Sequence, residues 1–249
     1  MERIEILYKD ANVIIISKPN GILSVPYNGS RAKNAQDILE QMLRRRGEYS
    51  QKYKVLPVHR LDRETSGVMM FATNERAQKT IMDNWHDMVK SRAYIALAEN
   101  PGNFTRYGIL PDSGIIDDKL SYNAYNVGYV ARHEKTRDDN RRENTARSRD
   151  NARSKDSGHE ITARTHFKII NRSTRFSIFK LELDTGRKNQ IRAHLASKGY
   201  PIAGDKNYRA HTDPFKRVCL HARTLEYLDP WTGELKKFEV EEPKEWWTV

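Results

Sequence analysis

The 249-residue chain has one cysteine, Cys219. A lone cysteine cannot close an intramolecular disulfide or build a multi-cysteine metal site, so a secreted disulfide scaffold is excluded. Long apolar runs are missing too. No stretch approaches the ~20 residues that a membrane-spanning helix needs. The opening MERIEILYKD lacks the basic-then-apolar layout of a signal peptide. The start is not Met-Gly, and the end, EWWTV, has no cysteine to prenylate. The 13 glycines follow no collagen period. These absences lead to an expectation of a cytoplasmic protein without a membrane partner.

What is present is positive charge. Lys and Arg number 44 against 33 Asp and Glu, a surplus of +11. Such a surplus favours polyanionic partners, nucleic acid before anionic membrane. It is equally compatible with an ordinary basic protein that binds neither specifically. The length suits one large domain or two small ones, with enough buried surface to need no covalent staples.

Residues 4–8 alternate apolar and polar, and 13–16 is a short β-branched run, so two strands are expected around a turn at Asp10-Ala11-Asn12. Lys18-Pro19-Asn20-Gly21 breaks the run, and 21–25 is expected to resume as extended chain. Residues 34–46 carry Ala35, Ile38, Leu39, Met42 and Leu43 on one helical face, with Arg44-Arg45-Arg46 at the dipole's negative end and Gly47 to stop it. Residues 68–72 read as a buried strand. Asn74 then caps a helix whose apolar positions Ala77, Ile81, Trp85 and Met88 keep helical spacing. Further strands are expected at 93–98, 162–170, 176–183, 220–228 and 238–240, with a helix at 188–198 ended by Gly199.

Residues 131–160 differ from the rest. They hold nine Lys/Arg, seven Asp/Glu, three alanines as the only apolar residues and no aromatic. Such a segment buries too little apolar area to offset the entropy of ordering it. It is expected to be a mobile charged insertion of net charge +2, so most of the surplus lies elsewhere. Strands outnumber helices without regular βα alternation. The fold class expected is therefore α+β, with a mainly antiparallel sheet.

Two clusters carry candidate chemistry. In residues 59–74, HRLDRETSGVMMFATN, Asp62 lies between Arg60 and Arg63 on a loop before a strand. A loop carboxylate held by a rigid sheet suits catalysis. Taken alone, it is better explained as an exposed ion pair worth at most ~1 kcal/mol. In residues 183–208, Thr185-Gly186-Arg187 sits where a strand turns into a helix, with Gln190 and Arg192 in the first turns. Backbone N–H groups there, with Arg187 and Lys188, could hold a phosphate, and simple helix capping explains the same residues as well.

Together, the two clusters resemble the RluA-type RNA pseudouridine synthases. The resemblance is carried by His59-Arg60-Leu61-Asp62 with Thr65-Ser66-Gly67, by Arg92-Ala93-Tyr94-Ile95-Ala96, by Thr185-Gly186-Arg187 with Gln190-Ile191-Arg192 and His194, by Pro201-Ile202 with Gly204-Asp205 and Tyr208, and by Leu220-His221-Ala222. Asp10, Lys18-Pro19 and Gly21 are similar to the family's start, and the match runs in order from about residue 5 to residue 240. The chain departs from the pattern at Arg92, where the family has lysine, at Asn189, where it has histidine, and in the charged insertion. The small S4-type RNA-binding domain that many relatives carry upstream is not seen, which would leave recognition to the catalytic domain.

The resemblance implies one pseudouridine synthase catalytic domain over residues 1–249, with a bent, mainly antiparallel mixed sheet, flanking helices and a central cleft. It implies an isomerase that converts uridines of ribosomal or transfer RNA after flipping the base out. Asp62 would be nucleophile or base, Tyr94 would stack on the uracil and help remove the carbon-5 proton, and Arg192 would pair with Asp62. Arg60 would enter the vacated space, and Arg187 and Lys188 would hold the backbone. The reaction is redox-neutral, so no cofactor and no metal are expected. A monomer acting on an RNA stem-loop is the expected partner arrangement. His59, His194 and His221 are expected to be structural, and Cys219 a small buried residue. Two rivals stand beside this reading: a non-catalytic RNA-binding protein on the same scaffold, and a nucleoside-cleaving hydrolase, which would want a second carboxylate beside Asp62.

Overall fold

The structure is a computed structural model that describes residues 3–27, 29, 31–102, 108–123, 127–130 and 160–249. The expected charged insertion at 131–160 lies outside the described residues, except for Glu160. Among the described residues the chain forms strands β1 (Glu5–Lys9), β2 (Val13–Lys18), β3 (Leu56–Pro57), β4 (Ser66–Ala72), β5 (Val89–Glu99), β6 (Ser113–Ile116), β7 (Leu120–Tyr122), β8 (Gly128–Val130), β9 (Thr165–Arg172), β10 (Phe176–Leu183), β11 (Leu220–Leu228) and β12 (Leu235–Glu239). The α-helices are α1 (Ala35–Arg45), α2 (Glu75–Asp83), α3 (Trp85–Met88) and α4 (Gln190–Ser197).

Ten strands form one sheet in the order β1-β2-β4-β11-β5-β10-β9-β6, with β12 paired to β11 and β3 to β4. Only β4 and β11 run parallel, through His221 opposite Ser66 and Ala222 opposite Gly67. The β7–β8 hairpin stands apart. The expected α+β class with a mainly antiparallel mixed sheet is what the chain adopts.

Strand β4 explains its own sequence. Met69 and Phe71 point into one hydrophobic core, shared with Ile14, Ile16, Leu39 and Leu43. Val68, Met70 and Ala72 point into the other, with Val13, Ile15, Ala77 and Ile81. A strand covered on both faces has no solvent side, so its sequence is a continuous apolar run rather than an alternation. Helix α1 covers the first face and α2 the second.

The caps follow the expected chemistry. Asn34 Oδ1 accepts from Asp37 N at 2.8 Å, and Asn74 Oδ1 accepts from Ala77 N at 2.9 Å. Gly47, at φ 70°, donates its N–H to Arg44 O as α1 ends.

Two expectations need correction. Residues 21–25 form no strand; they are a loop that meets the start of α1 through a bridge from Leu23 to Asn34 and the bonds from Ala35 N to Leu23 O and Gln36 N to Ser24 O. The helix from Asn74 does not run on through Trp85 and Met88. Asn84 breaks it, its Nδ2 donating to Thr80 O at 2.8 Å, and α3 starts as a separate turn. The Asn84 backbone leaves the helical region at φ −107° and ψ 11°, while its own N–H still donates to Thr80 O beside the side chain. Trp85 is partly buried against the second core and the His59 ring, 5.0 Å away.

Candidate active site

The loop carrying Asp62 is stapled to the segment after β2. Ser24 Oγ donates to Leu61 O at 2.7 Å and accepts from Leu61 N at 2.9 Å. Gly21 N donates to Arg63 O, Arg63 Nε donates back to Gly21 O, and Asn20 Nδ2 donates to Glu64 O. Below them lies Lys18, fully buried, its Nζ donating to Pro19 O at 3.0 Å and Ile22 O at 2.9 Å. Burial pushes its pKa down to about 7, against the pull of Glu64 and Asp62. The motif residues Lys18-Pro19 and Gly21 thus hold the loop that presents Asp62.

Gly67, at φ 115°, lets that loop re-enter the sheet. A Cβ there would sit 2.1 Å from Ala222 O, so only glycine permits β4 to start against β11 at this point. Beside it, His221 Nδ1 meets Ser66 Oγ at 2.8 Å and its Nε2 meets Val240 O at 2.9 Å. His59 Nε2 accepts from Met70 N at 2.9 Å. Burial pushes His221 down to about 4, and burial together with Arg92 pushes His59 down to about 3. His194 bridges Thr165 Oγ1 and Asp118 O, and burial lowers it as well. Each of these histidines ties its own segment to a neighbouring one. Cys219 is fully buried, and burial pushes its thiol up to about 12, which keeps it an inert thiol.

Arg192 rises from α4 into the same place. It is 4% exposed in its side chain and gripped by Asp205: Nε donates to Oδ2 at 2.6 Å and Nη2 to Oδ1 at 2.8 Å. Its Nη1 donates to Glu64 Oε2 at 3.2 Å and lies 3.7 Å from Asp62 Oδ2. Burial alone would lower the guanidinium's pKa, but Asp205, Asp62 and Glu64 together hold it above its ordinary range. The expected Arg192–Asp62 pairing is therefore a charge contact, and the strong bidentate partner is Asp205. Gly204, at φ 81°, sets Asp205 there; a Cβ would meet Arg217 O at 2.0 Å.

Asp62 is 16% exposed and accepts a hydrogen bond on Oδ2 from Asn189 Nδ2 at 2.9 Å. Among the described residues no donor reaches its Oδ1. Tyr94, on β5, is buried within the first core near Asp62 and Arg92, and burial raises its pKa. Tyr208 lies against Arg192, 5.0 Å from ring centroid to guanidinium, and donates to Gly128 O.

The three RNA-contact expectations fall on the rim. Arg60 is exposed, and among the described residues nothing pairs with it. Arg187 is exposed and donates through Nε to Thr162 O at 3.3 Å; Lys188 is half-buried. The expected phosphate site on backbone N–H groups is partly closed. Arg187 N already donates to Gln190 Oε1 at 3.0 Å, and Gln190 also accepts from Thr185 Oγ1 and donates to Arg164 O and Thr165 Oγ1. This buried glutamine locks the strand-to-helix turn. Gly186 leaves room for Arg92, whose Nη1 lies 2.9 Å from where a Cβ would be.

The structure places Arg192 3.7 Å from Asp62 and Tyr94 within reach of its charge. Sequence reasoning missed the roles of Asp205, Glu64 and Asn189, although Gly204-Asp205 stood within a recognised motif and Asn189 had been noted as a departure.

The profile of the RNA pseudouridylate synthase family matches residues 12–197. The chain belongs to this family. It is 31% identical over 234 residues to the uncharacterized RNA pseudouridine synthase YhcT of Bacillus subtilis, covering 93% of this chain and 66% of that one. To ribosomal large subunit pseudouridine synthase D of Nitrosomonas europaea it is 29% identical over 245 residues, covering 95% and 61%. The chain thus spans about two thirds of the length of these relatives. The structure of human RNA pseudouridylate synthase domain containing 4 superposes with a TM-score of 0.71 at 21% identity, covering 97% of this chain and 89% of that one, and shares the fold. No helix among the described residues is long and apolar enough to cross a membrane.

Proposed function

We propose that the chain is a cytoplasmic RNA pseudouridine synthase, an isomerase that converts specific uridines of ribosomal RNA, with residues 1–249 acting as one catalytic domain and 131–160 as a charged insertion within it. The names of its relatives favour large-subunit ribosomal RNA over transfer RNA. The observation that carries the reading is Asp62: a partly exposed carboxylate in the family's motif, with one oxygen held by Asn189 near Arg192 and the other without a donor among the described residues.

The reaction breaks the bond between sugar carbon 1′ and base nitrogen 1, turns the uracil, bonds carbon 5 to the same carbon 1′ and moves the carbon-5 proton to solvent and a proton to nitrogen 1. Atoms balance without oxidant, metal or cofactor. Asp62 Oδ1 either attacks carbon 1′ or acts as base, and in both cases its charge stabilises the electron-poor sugar centre. Arg192 sets a fixed positive charge 3.7 Å from that carboxylate as RNA excludes water. Tyr94 offers its ring to the flipped uracil. Because burial holds its phenol neutral, it relays the carbon-5 proton only by giving up its own at the same time.

A base in structured RNA must first leave its stack, at a cost of a few kcal/mol. Arg60, exposed two residues before Asp62, supplies a guanidinium plane for the vacated space. Arg187 and Lys188 supply phosphate contacts on the other rim. Having every named group on one chain suits a monomer acting on a stem-loop.

The test is tritium release from carbon 5. Purified protein is mixed with total RNA labelled at carbon 5 of uridine, taken from cells lacking the gene. Release by wild type and not by Asp62→Ala, with pseudouridine in the digested RNA, is the expected result. Free uracil in place of pseudouridine would make the protein a hydrolase. RNA binding without release would make it a non-catalytic binder.

A further inference from the structure

We infer that Asn189 is a positioning residue for Asp62, and that it selects which carboxylate oxygen is left to react. The inference rests on the function proposed above and adds a group to it.

The geometry has three parts. First, Asn189 is buried, 8% exposed, and its amide reaches across 127 residues of sequence to Asp62 Oδ2 at 2.9 Å. Second, it stands at the head of α4, the position where a short polar side chain normally caps the helix, yet its side chain makes no capping bond. Its amide is directed to Asp62 instead. Third, its backbone is left-handed, at φ 58° and ψ 16°, a conformation that aims the side chain away from the helix and that asparagine tolerates better than most residues.

The turn that carries it cannot drift. Gln190, the next residue, is 2% exposed and holds Thr185 and Arg187 on one side and Arg164 and Thr165 on the other. The Asp62 loop is held as firmly by Ser24 and Gly21. The Asn189 amide is the hydrogen bond that joins these two rigid pieces at the carboxylate. With Oδ2 committed to Asn189 and facing Arg192, Oδ1 is the oxygen that no described residue occupies and that can meet the sugar or a proton. An amide does not titrate, so this contact holds its sign at every pH, which the histidine found here in the family pattern would not do.

Two substitutions separate the donor from the backbone. Asn189→Gly suits the left-handed conformation at least as well and removes the donor. Asn189→Asp keeps shape and conformation but sets a second carboxylate against Asp62, so the pair must share a proton. Single-turnover tritium release with enzyme in excess over labelled total RNA gives the rate at saturation and the half-saturating enzyme concentration. The expected result for Asn189→Gly is a saturating rate lower by about tenfold, with half-saturation within twofold and melting temperature unchanged, in line with loss of a hydrogen bond to a charged group. For Asn189→Asp the rate falls by about a hundredfold near neutral pH. A wild-type rate in Asn189→Gly would overturn the inference, because it would reduce Asn189 to a backbone role, and would leave the proposed function standing. A loss carried by half-saturation or by melting temperature would overturn it in the same way. No release by the wild type from any RNA would overturn the proposed function and this inference with it.

Discussion

The half-buried Lys236 and the buried Arg192 each sit among carboxylates, and the two arrangements differ in one respect. At the β11–β12 end, Lys236 Nζ pairs with Asp229 Oδ2 at 2.6 Å, and with Tyr8 and Asp10 nearby. Asp229 is 3% exposed, and its Oδ1 accepts from Trp231 N and Thr232 N. Both oxygens are fully engaged. Lys236 is held above its ordinary pKa by Asp229 and Tyr8 although burial pulls it down, and Asp229 is held below its own by Lys236 and the two backbone donors although burial pushes it up. At the candidate site, both Asp205 oxygens likewise engage Arg192, but among the described residues Asp62 keeps one oxygen without a donor and 16% of its side chain open. Asp205 is the saturated carboxylate that clamps Arg192; Asp62, the reagent proposed above, is the unsaturated one on the same arginine.

The comparison breaks most visibly at Asp62. Asp62→Asn removes the reactive oxygen's charge and should lower the rate of pseudouridine formation by at least about a thousandfold, with the melting temperature unchanged, measured by tritium release and calorimetry on one preparation. Asp205→Asn attacks the clamp instead. It leaves Arg192 buried with weaker partners, and should cost about 3–5 kcal/mol in denaturant unfolding while activity falls as well. The distant clamp supplies the contrast: Asp229→Asn should cost about 1–3 kcal/mol of stability and leave tritium release at the wild-type rate below the unfolding transition.

The buried histidines predict a pH effect that belongs to the scaffold and not to the reagent. His59 and His221 have folded pKa values of about 3 and about 4, below the unfolded value near 6.5. Between those limits the unfolded chain binds the protons that the folded chain refuses, so stability is lost as pH falls through this window, by about 1.4 kcal/mol per unit per histidine. Urea unfolding across the window should show that slope in wild type and a shallower one in His221→Gln. The smallest effect expected is at the rim. Arg60→Ala should leave stability within about 0.5 kcal/mol and slow the flipping-dependent rate more than it weakens RNA binding, read by single-turnover kinetics beside a filter-binding titration.

What could be read from the sequence was what is local or carried by a motif. Helix α1 announced itself through Asn34, the apolar face and Gly47, all within one window. The double-sided burial of β4 was written in five consecutive apolar residues. Asp62, Tyr94 and Arg192 were legible through resemblance alone, since by composition Asp62 looked like a surface ion pair. The hidden features depend on distance along the chain. Glu64 reaches Arg192 over 128 residues, and Asn189 reaches Asp62 over 127, so no periodicity or spacing could show either contact. Asp205 is only 13 residues from Arg192, but its role needs Gly204's left-handed turn to bring it back onto α4. The break at Asn84 was hidden for the opposite reason: the apolar spacing runs straight through it, while its backbone leaves the helical region at φ −107° and ψ 11°.

The central claim is that Asp62 is the reagent for uridine isomerisation in RNA. Its most direct test is pseudouridine mapping across total RNA from cells with the gene, cells lacking it and cells carrying Asp62→Asn at wild-type protein level. The account predicts the same ribosomal RNA sites lost in both the deletion and the variant. Sites that persist in the Asp62→Asn cells while absent from the deletion would contradict it.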